Sequence, residues 1–400
     1  MAGITGQGTT FNLPNFVGEL FGITPEDTPF LSAIGGLTGG KSVAAKRFEW
    51  EFYDLRAAGQ RDALEGANAP TAESRVRANA YNMLQIIQEA VEVSYSKIAA
   101  RQHLDTAVVI GGESNPVVNE MDWQLEQALK SVALDTNWAF INGTFAEPAN
   151  NATPRKTRGL LQAIATNAVA LISEVDNGGD ITGVAATDLI TSASAHGFAV
   201  GDSLQFTTLN GGTGLVVSTR YFVVAVPSTT TFQLGATRGG AVIDFTSAIT
   251  TGSRVSRYTK VSTESIGNAM QLAYENGGLA LGETRVALVG PLQKRRLTTA
   301  LITDAKYAEV TRNVGGVNLS VIETDFGPLS IMMDRQMPVG TIAFVSLEDC
   351  APVMLEIPDK GFLFVEPLAK VGSAERSQLY GEIGLEYGNE RKHAKITNAG

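Results

Sequence analysis

One cysteine, Cys350, and three histidines, His103, His196 and His393, are all that 400 residues offer as softer metal ligands. A lone cysteine excludes an intrachain disulfide, and a reducing cytoplasm is the simplest folding context. The histidines stand far apart at no ligand spacing, which argues against a zinc site. Charge is also scarce, at 18% of residues, and what there is sums to −10. An acidic chain does not grip nucleic acid through phosphates. It suits a protein that must stay dissolved or that lies beside packed nucleic acid without holding it. No apolar run nears the roughly 18 residues of a membrane span. The opening MAGITGQGTTFNLP has no basic segment followed by an apolar one, so no signal peptide is expected. Neither a GxSxG elbow nor a GxxxxGK[ST] loop occurs.

What is present is 44% hydrophobic residues and 42 glycines, enough for two or three domains rich in turns and strands. The chain is organised around residues 115–141, whose spacing predicts one long helix. Asn115 can cap it and Pro116 fits its first position. Val118, Met121, Leu125, Ala128, Leu129, Val132, Ala139 and Phe140 recur at helical intervals, and Gly143 supplies a stop. Such a helix runs about 40 Å. One long helix among short strands suggests a beam across a sheet.

Upstream, residues 1–23 are rich in glycine and threonine with Phe11, Phe16 and Phe21 scattered among them, the composition of an arm that orders against a partner. Thr28 and Pro29 then open a short helix ended by Gly35. From Lys41 the pattern alternates. Phe48, Trp50 and Phe52 share one face of a strand, and Arg47, Glu49 and Glu51 the other. Residues 55–70 are small and polar, and a returning strand is expected over 75–94. The result is a long hairpin that needs another subunit to cover it.

Residues 173–257 read as an inserted all-β unit with few charges. Its core is expected from Leu204, Phe206, Tyr221, Val223, Phe232, Leu234, Ile243 and Phe245. From Thr259 the pattern becomes α+β. It shows a helix capped by Ser262, the buried strand TRVALVG, the helix PLQKRRLTTALI and a hairpin turning near Gly327 and Pro328. A terminal hairpin is expected to turn at Gly388 and Asn389.

The glycine run 211–217 lies among strands with no following helix and reads as a turn. Lys294, Arg295 and Arg296 could meet an anion at a helix start, or form a solvated face or an inter-subunit ion pair. Nothing else favours an enzyme, so no catalytic, cofactor or metal residue is assigned. Charge distribution says more. Within 41–77 seven basic residues face six acidic ones, whereas within 113–141 five acidic residues face Lys130 alone. We therefore expect the hairpin of one subunit, through Trp50, Arg56, Gln60 and Arg61, to meet Glu120, Asp122 and Glu126 on a neighbour's long helix.

Arm, hairpin, long helix, α+β unit and terminal strands follow one another in the order of the tailed-bacteriophage major capsid proteins of the Hong Kong 97-type fold, which the chain resembles. DTPFLSAIG, FEWEFYDLRAA, ALEGA, VEVSYSKIAAR, VGPLQKRRL and GEIGLEYGNERKHAKI also resemble the capsid family typified by the podophage SU-ten protein. The resemblance implies an α+β capsid fold in six parts. These are an N-terminal arm (1–40), an extended E-loop hairpin (41–77), a peripheral domain with its spine helix (78–172), an inserted small barrel-like domain (173–257), an axial domain (258–350) and a C-terminal part (351–400).

It implies a shell of hexamers and pentamers around packaged double-stranded DNA that is enclosed without specific binding. A separate scaffolding protein and a portal protein are implied as partners, with no cofactor and no membrane. The place is the virion capsid, assembled in the host cytoplasm. Lys41 and Lys46 sit at the hairpin base rather than at its tip, Gly59 to Asp62, so the lysine–asparagine cross-link of some relatives is not expected. The alternatives are another phage structural component (tail, decoration or adhesion protein) that binds through the β insertion, and, third, an α+β enzyme.

Overall fold

The computed structural model describes residues 26–53, 58–60, 62–69, 71, 74–75, 77–99, 120–174, 180–279, 283–303, 309–314, 317–370 and 372–399. In chain order the first elements are α1 (Pro29–Ile34), β1 (Lys41–Val43), β2 (Arg47–Tyr53), β3 (Arg77–Met83), β4 (Gln85–Ser94), α2 (Tyr95–Ala99), α3 (Glu120–Asn142) and α4 (Leu160–Ala163). Then come β5 (Ala168–Ala170), β6 (Ile172–Glu174), β7 (Ile181–Val184), β8 (Leu189–Ser192), β9 (Ser203–Thr208), β10 (Tyr221–Ser228), β11 (Thr231–Gly235) and β12 (Ile249–Tyr258). The chain continues with α5 (Thr263–Glu275), β13 (Arg285–Val289), α6 (Pro291–Thr303), β14 (Glu309–Val314), β15 (Val317–Thr324), β16 (Gly327–Met333) and β17 (Ile342–Ser346). It closes with β18 (Ala351–Leu355), β19 (Leu363–Pro367), β20 (Ala374–Glu386) and β21 (Ala394–Thr397).

The returning strand expected over 75–94 is two strands. β3 pairs with β2 from Arg47↔Met83 to Tyr53↔Arg77 as a sheet of its own. β4 swings away and pairs with β20 from Gln85↔Ile383 to Ser94↔Ala374. The break falls at the fully buried Leu84, whose amide donates to the Lys46 carbonyl. Buried Asn82 fixes it. Its Nδ2 donates to the Arg158 and Leu385 carbonyls, and its Oδ1 accepts from the Met83 and Arg158 amides. A side chain satisfied at both ends by backbone turns the chain at a point that alternation cannot reveal. Phe48 packs against the strand beyond, where a Cβ on Gly384 would lie 2.7 Å from the Phe48 ring.

β20 organises the first sheet. β4 runs along one edge, β19 and β18 share the other, and β1 adds parallel to β18. Residues 41–43 therefore belong to this sheet and not to the ribbon. α3 crosses it, burying Ala128, Val132, Thr136, Ala139, Phe140 and Ile141, with Ala128 packed on Val91 and Val93. The residues before Glu120 expected in this helix, Asn115 to Val118 among them, lie outside the described residues. Leu129, expected on the apolar face, is 41% exposed because the buried stripe runs through Ala128 and Val132 instead.

The C-terminal half of α3 is tied down by a buried amide. Asn137 Oδ1 accepts from the Leu31 amide at 2.9 Å, and its Nδ2 donates to Asp334 Oδ2 at 2.8 Å and Gln336 Oε1 at 2.7 Å. Burial raises the Asp334 carboxyl above its usual range, against the Asn137 hydrogen bond, which lowers it. One side chain thus joins α1, α3 and the loop after β16.

The second sheet has the order β14-β15-β16-β13-β17-β21-β5, with β13 parallel to β16 and β21 parallel to β5. α5 covers it with Ile266, Ala269, Met270 and Ala273, and begins at a Ser262–Ser265 capping box. The expected terminal hairpin does not form. β20 lies in the first sheet and β21 in the second, so the chain after Gly388 crosses between them. Asn389 caps a short turn by accepting from the Arg391 amide. Buried His393 holds the crossing, with Nε2 2.8 Å from the Tyr387 carbonyl oxygen and Nδ1 accepting from the Ser346 amide.

Six strands, in the order β12-β7-β8-β11-β10-β9, close into a barrel through β12–β9 pairing, and β6 extends β12 outside it. Its core contains Leu204, Phe206, Tyr221, Val223, Phe232, Leu234 and Phe245, with Ile243 partly buried. The run 211–217 is a turn, with Gly211, Gly212 and Gly214 at φ of 84°, 66° and 109°.

Two outcomes follow from the buried polar groups. Asn137→Leu strands the Leu31 amide and removes one donor each from Asp334 and Gln336, so chemical denaturation should show a loss of about 2–3 kcal/mol. Burial is the main cause that lowers the His393 pKa. A histidine depressed in the fold is more basic when unfolded, so its contribution is intact above the unfolded value of 6.5 and is lost as pH falls toward the folded one. His393→Gln should flatten the melting-temperature decline between pH 7.5 and 5.5.

Candidate assembly surface

The β2–β3 ribbon is anchored at its base and uncovered beyond it. Trp50, expected on a neighbour, instead faces its own chain. Its Nε1 donates to the Gly388 carbonyl at 2.7 Å and its ring meets Tyr387 edge-on at 4.9 Å. Phe48, Leu84 and Val353 form the small core it packs on. Arg47 lies over the Tyr81 ring at 4.0 Å and pairs with Glu147 at 3.3 Å.

Farther out the ribbon makes cross-strand contacts of its own, such as Arg77 to Glu51 at 2.9 Å. Phe52 is 38% exposed, Tyr53 69% and Leu64 86%. Gln60 is exposed, while Arg56 and Arg61 lie outside the described residues. Tyr53 and Leu64 escaped the sequence reading. Tyr53 falls on the polar parity of the alternation, and Leu64 sits in a stretch without period.

On α3, Glu120 is half-buried and accepts from Gln124 Nε2 at 3.0 Å. Asp122 and Glu126 are exposed. Lys130 pairs with Glu26 at 3.1 Å and Glu126 at 3.3 Å, and these carboxylates hold its ammonium above the usual lysine range. Two features of the helix were not anticipated. Trp138 is 53% exposed, on the face it shares with Ser131 and Asp135. Burial, and then the charge of Asp135, raises the Glu89 carboxyl on β4 above its usual range. Among the described residues neither Glu89 nor Asp135 forms an ion pair. The exposed face of α3 thus presents an indole and the Asp135 carboxylate.

Among the described residues no group of three or more His, Cys, Asp or Glu could hold a metal, and no helix is long and apolar enough to cross a membrane. His196 stacks on Phe198 inside the barrel and accepts from the Phe198 amide. Burial pushes the Cys350 thiol well above its ordinary range, which keeps it protonated.

Among the described residues the ribbon is a two-stranded sheet of its own with Phe52 and Tyr53 exposed, a surface suited to a coat subunit. The match to known families is specific: the chain belongs to the SU10 major capsid protein family, whose model covers residues 3–400. It is a major capsid protein that forms a phage shell, which sets aside the tail, decoration and adhesion readings.

Among solved structures, the Cyanophage A-1(L) capsid asymmetric unit is similar at 12% identity, covering 96% of this chain and 97% of that one with a TM-score of 0.50. It shows a shared phage-capsid fold. The capsid of Myoviridae phage XM1 gives 10% identity, 98% and 99% coverage and a TM-score of 0.49. The holo-SrpI encapsulin complex from Synechococcus elongatus PCC 7942 gives 11%, 97% and 92%, and 0.46. No curated protein sequence matches the chain.

Trp138→Ala separates assembly from folding. An exposed side chain should cost the subunit less than about 1 kcal/mol on unfolding. If a neighbouring subunit covers the indole, the same variant should weaken assembly about 30-fold, measured as the concentration at which shells appear in light scattering.

Proposed function

We propose that this capsid protein follows the Hong Kong 97-type plan and closes its shell from hexamers and pentamers. The β2–β3 ribbon is the E-loop, α3 the spine of a peripheral domain, the second sheet with α5 the axial domain, and the barrel an insertion carried by each subunit. Residues 1–40 supply the arm, of which 1–25 lie outside the described residues. The observation that carries this reading is the ribbon, anchored through Trp50 yet leaving Phe52, Tyr53 and Leu64 uncovered. Each ribbon lies on a neighbour's spine helix, where its basic tip, Arg56 and Arg61, meets Glu120, Asp122 and Glu126.

Contacts of this kind are individually weak. A subunit held by several neighbours is retained by effective concentration. A separate scaffolding protein shapes the shell in the host cytoplasm, a portal protein occupies one opening, and double-stranded DNA fills the virion. The net charge of −10 lets DNA pack without sticking. The role is structural, with no catalytic step.

Charge reversal tests the ribbon–helix contact. Arg56→Glu with Arg61→Glu should slow assembly about tenfold at low salt and less at high salt, since exposed charges act mainly on rate. Adding Glu120→Lys and Glu126→Lys should restore it. Unchanged light-scattering kinetics in the first double variant would remove the electrostatic part of the proposal.

A further inference from the structure

The basic run at 294–296 is the one charged motif that the assembly contacts above leave unused. Arg296, in α6, donates Nη1 to the Ala399 carbonyl at 3.2 Å. Arg220, just before β10 in the barrel, donates Nη2 to the same oxygen at 3.0 Å. Two guanidiniums sharing one acceptor have those nitrogens at most about 6 Å apart. Arg238, on the barrel loop after β11, donates Nε and Nη2 to the Gly201 carbonyl at 3.1 and 2.7 Å. Burial first, then the charges of Arg238 and Arg220, pushes Arg296 below the usual arginine range.

No carboxylate among the described residues pairs with any of the three. Asp202, beside Gly201 in the chain, gives Oδ2 to Arg257 and to the Ala199 amide. The backbone comes close to them. Gly340 has φ of 85°, and a Cβ there would lie 3.0 Å from Arg220 Nη2 and 3.2 Å from the Ala399 oxygen. Arg220 is steadied from its other side by the Tyr258 ring, 4.0 Å from its Cζ. A guanidinium carries five N–H donors, and the contacts above use only a few of them.

We propose that this seam is an oxyanion site, in which a phosphate or carboxylate group sits among Arg220, Arg238 and Arg296 and ties the barrel to the body. The two chain passages between barrel and body run side by side, with the Thr259 amide donating to the Leu171 carbonyl at 3.1 Å. Paired strands of this kind act as a single hinge line. An anion held by two barrel arginines and one body arginine adds a separate tie and fixes the angle at which the barrel stands on the shell.

The test uses full-length protein, as dissociated subunits and as shells, in sodium phosphate and in sodium chloride at matched ionic strength. For subunits, phosphate should raise the melting temperature by about 2 °C. It should also slow hydrogen exchange at the Gly340 and Ala399 amides at least about threefold. Arg220→Gln and Arg296→Gln should each abolish both effects, and Arg254→Gln, at an exposed barrel arginine outside the seam, should keep them. Arg238→Gln changes an exposed side chain, so it should fold normally and still weaken the response. A response in subunits and shells alike identifies a free ion as the occupant. A response in subunits alone identifies a carboxylate brought by a neighbouring copy. No phosphate response in wild-type subunits, or one that survives in Arg220→Gln and Arg296→Gln, overturns the proposal.

Discussion

A two-stranded ribbon has two open edges and apolar side chains that one thin layer cannot cover, and water leaves such a ribbon only marginally stable. The base of the ribbon is fixed by the Trp50–Gly388 hydrogen bond and by packing on Phe48, Leu84 and Val353. Its outer part carries the exposed Phe52 and Tyr53. A ribbon held at the base loses less conformational freedom on docking than a free loop would, so more of its burial appears as binding free energy.

The platform behind the ribbon is locked by buried amides. Asn82 sets where the ribbon leaves the first sheet, and Asn137 ties the long helix to α1 and to the loop at Asp334. Buried polar groups are costly unless every end is satisfied, and here both side chains are. That makes the angle between ribbon, helix and sheet a specified one, which a subunit repeated around a closed shell requires.

Where side-chain periodicity decides the structure, the sequence was legible. The barrel core from Leu204 to Phe245, the Ser262 cap, the buried β13 and the buried stripe through Ala128 and Val132 all follow from alternation, capping or helical spacing. The misreadings occur where a single long-range contact overrides local pattern. Asn82 breaks an apparently continuous strand, and the His393 crossing sends β21 into another sheet although Gly388 and Asn389 have the look of a hairpin turn. The acidic character of the long helix was visible in composition. The orientation of Trp50 and the exposure of Trp138 were not, since an indole in a periodic position can face either way until its neighbours are known.

The most direct measurement is a reconstruction of the assembled shell at side-chain resolution. The account predicts that Phe52, Tyr53 and Leu64 are covered there by a different subunit, with the ribbon lying along that subunit's long helix. A shell in which these three side chains stay open to solvent, and the ribbon touches only its own chain, would contradict it.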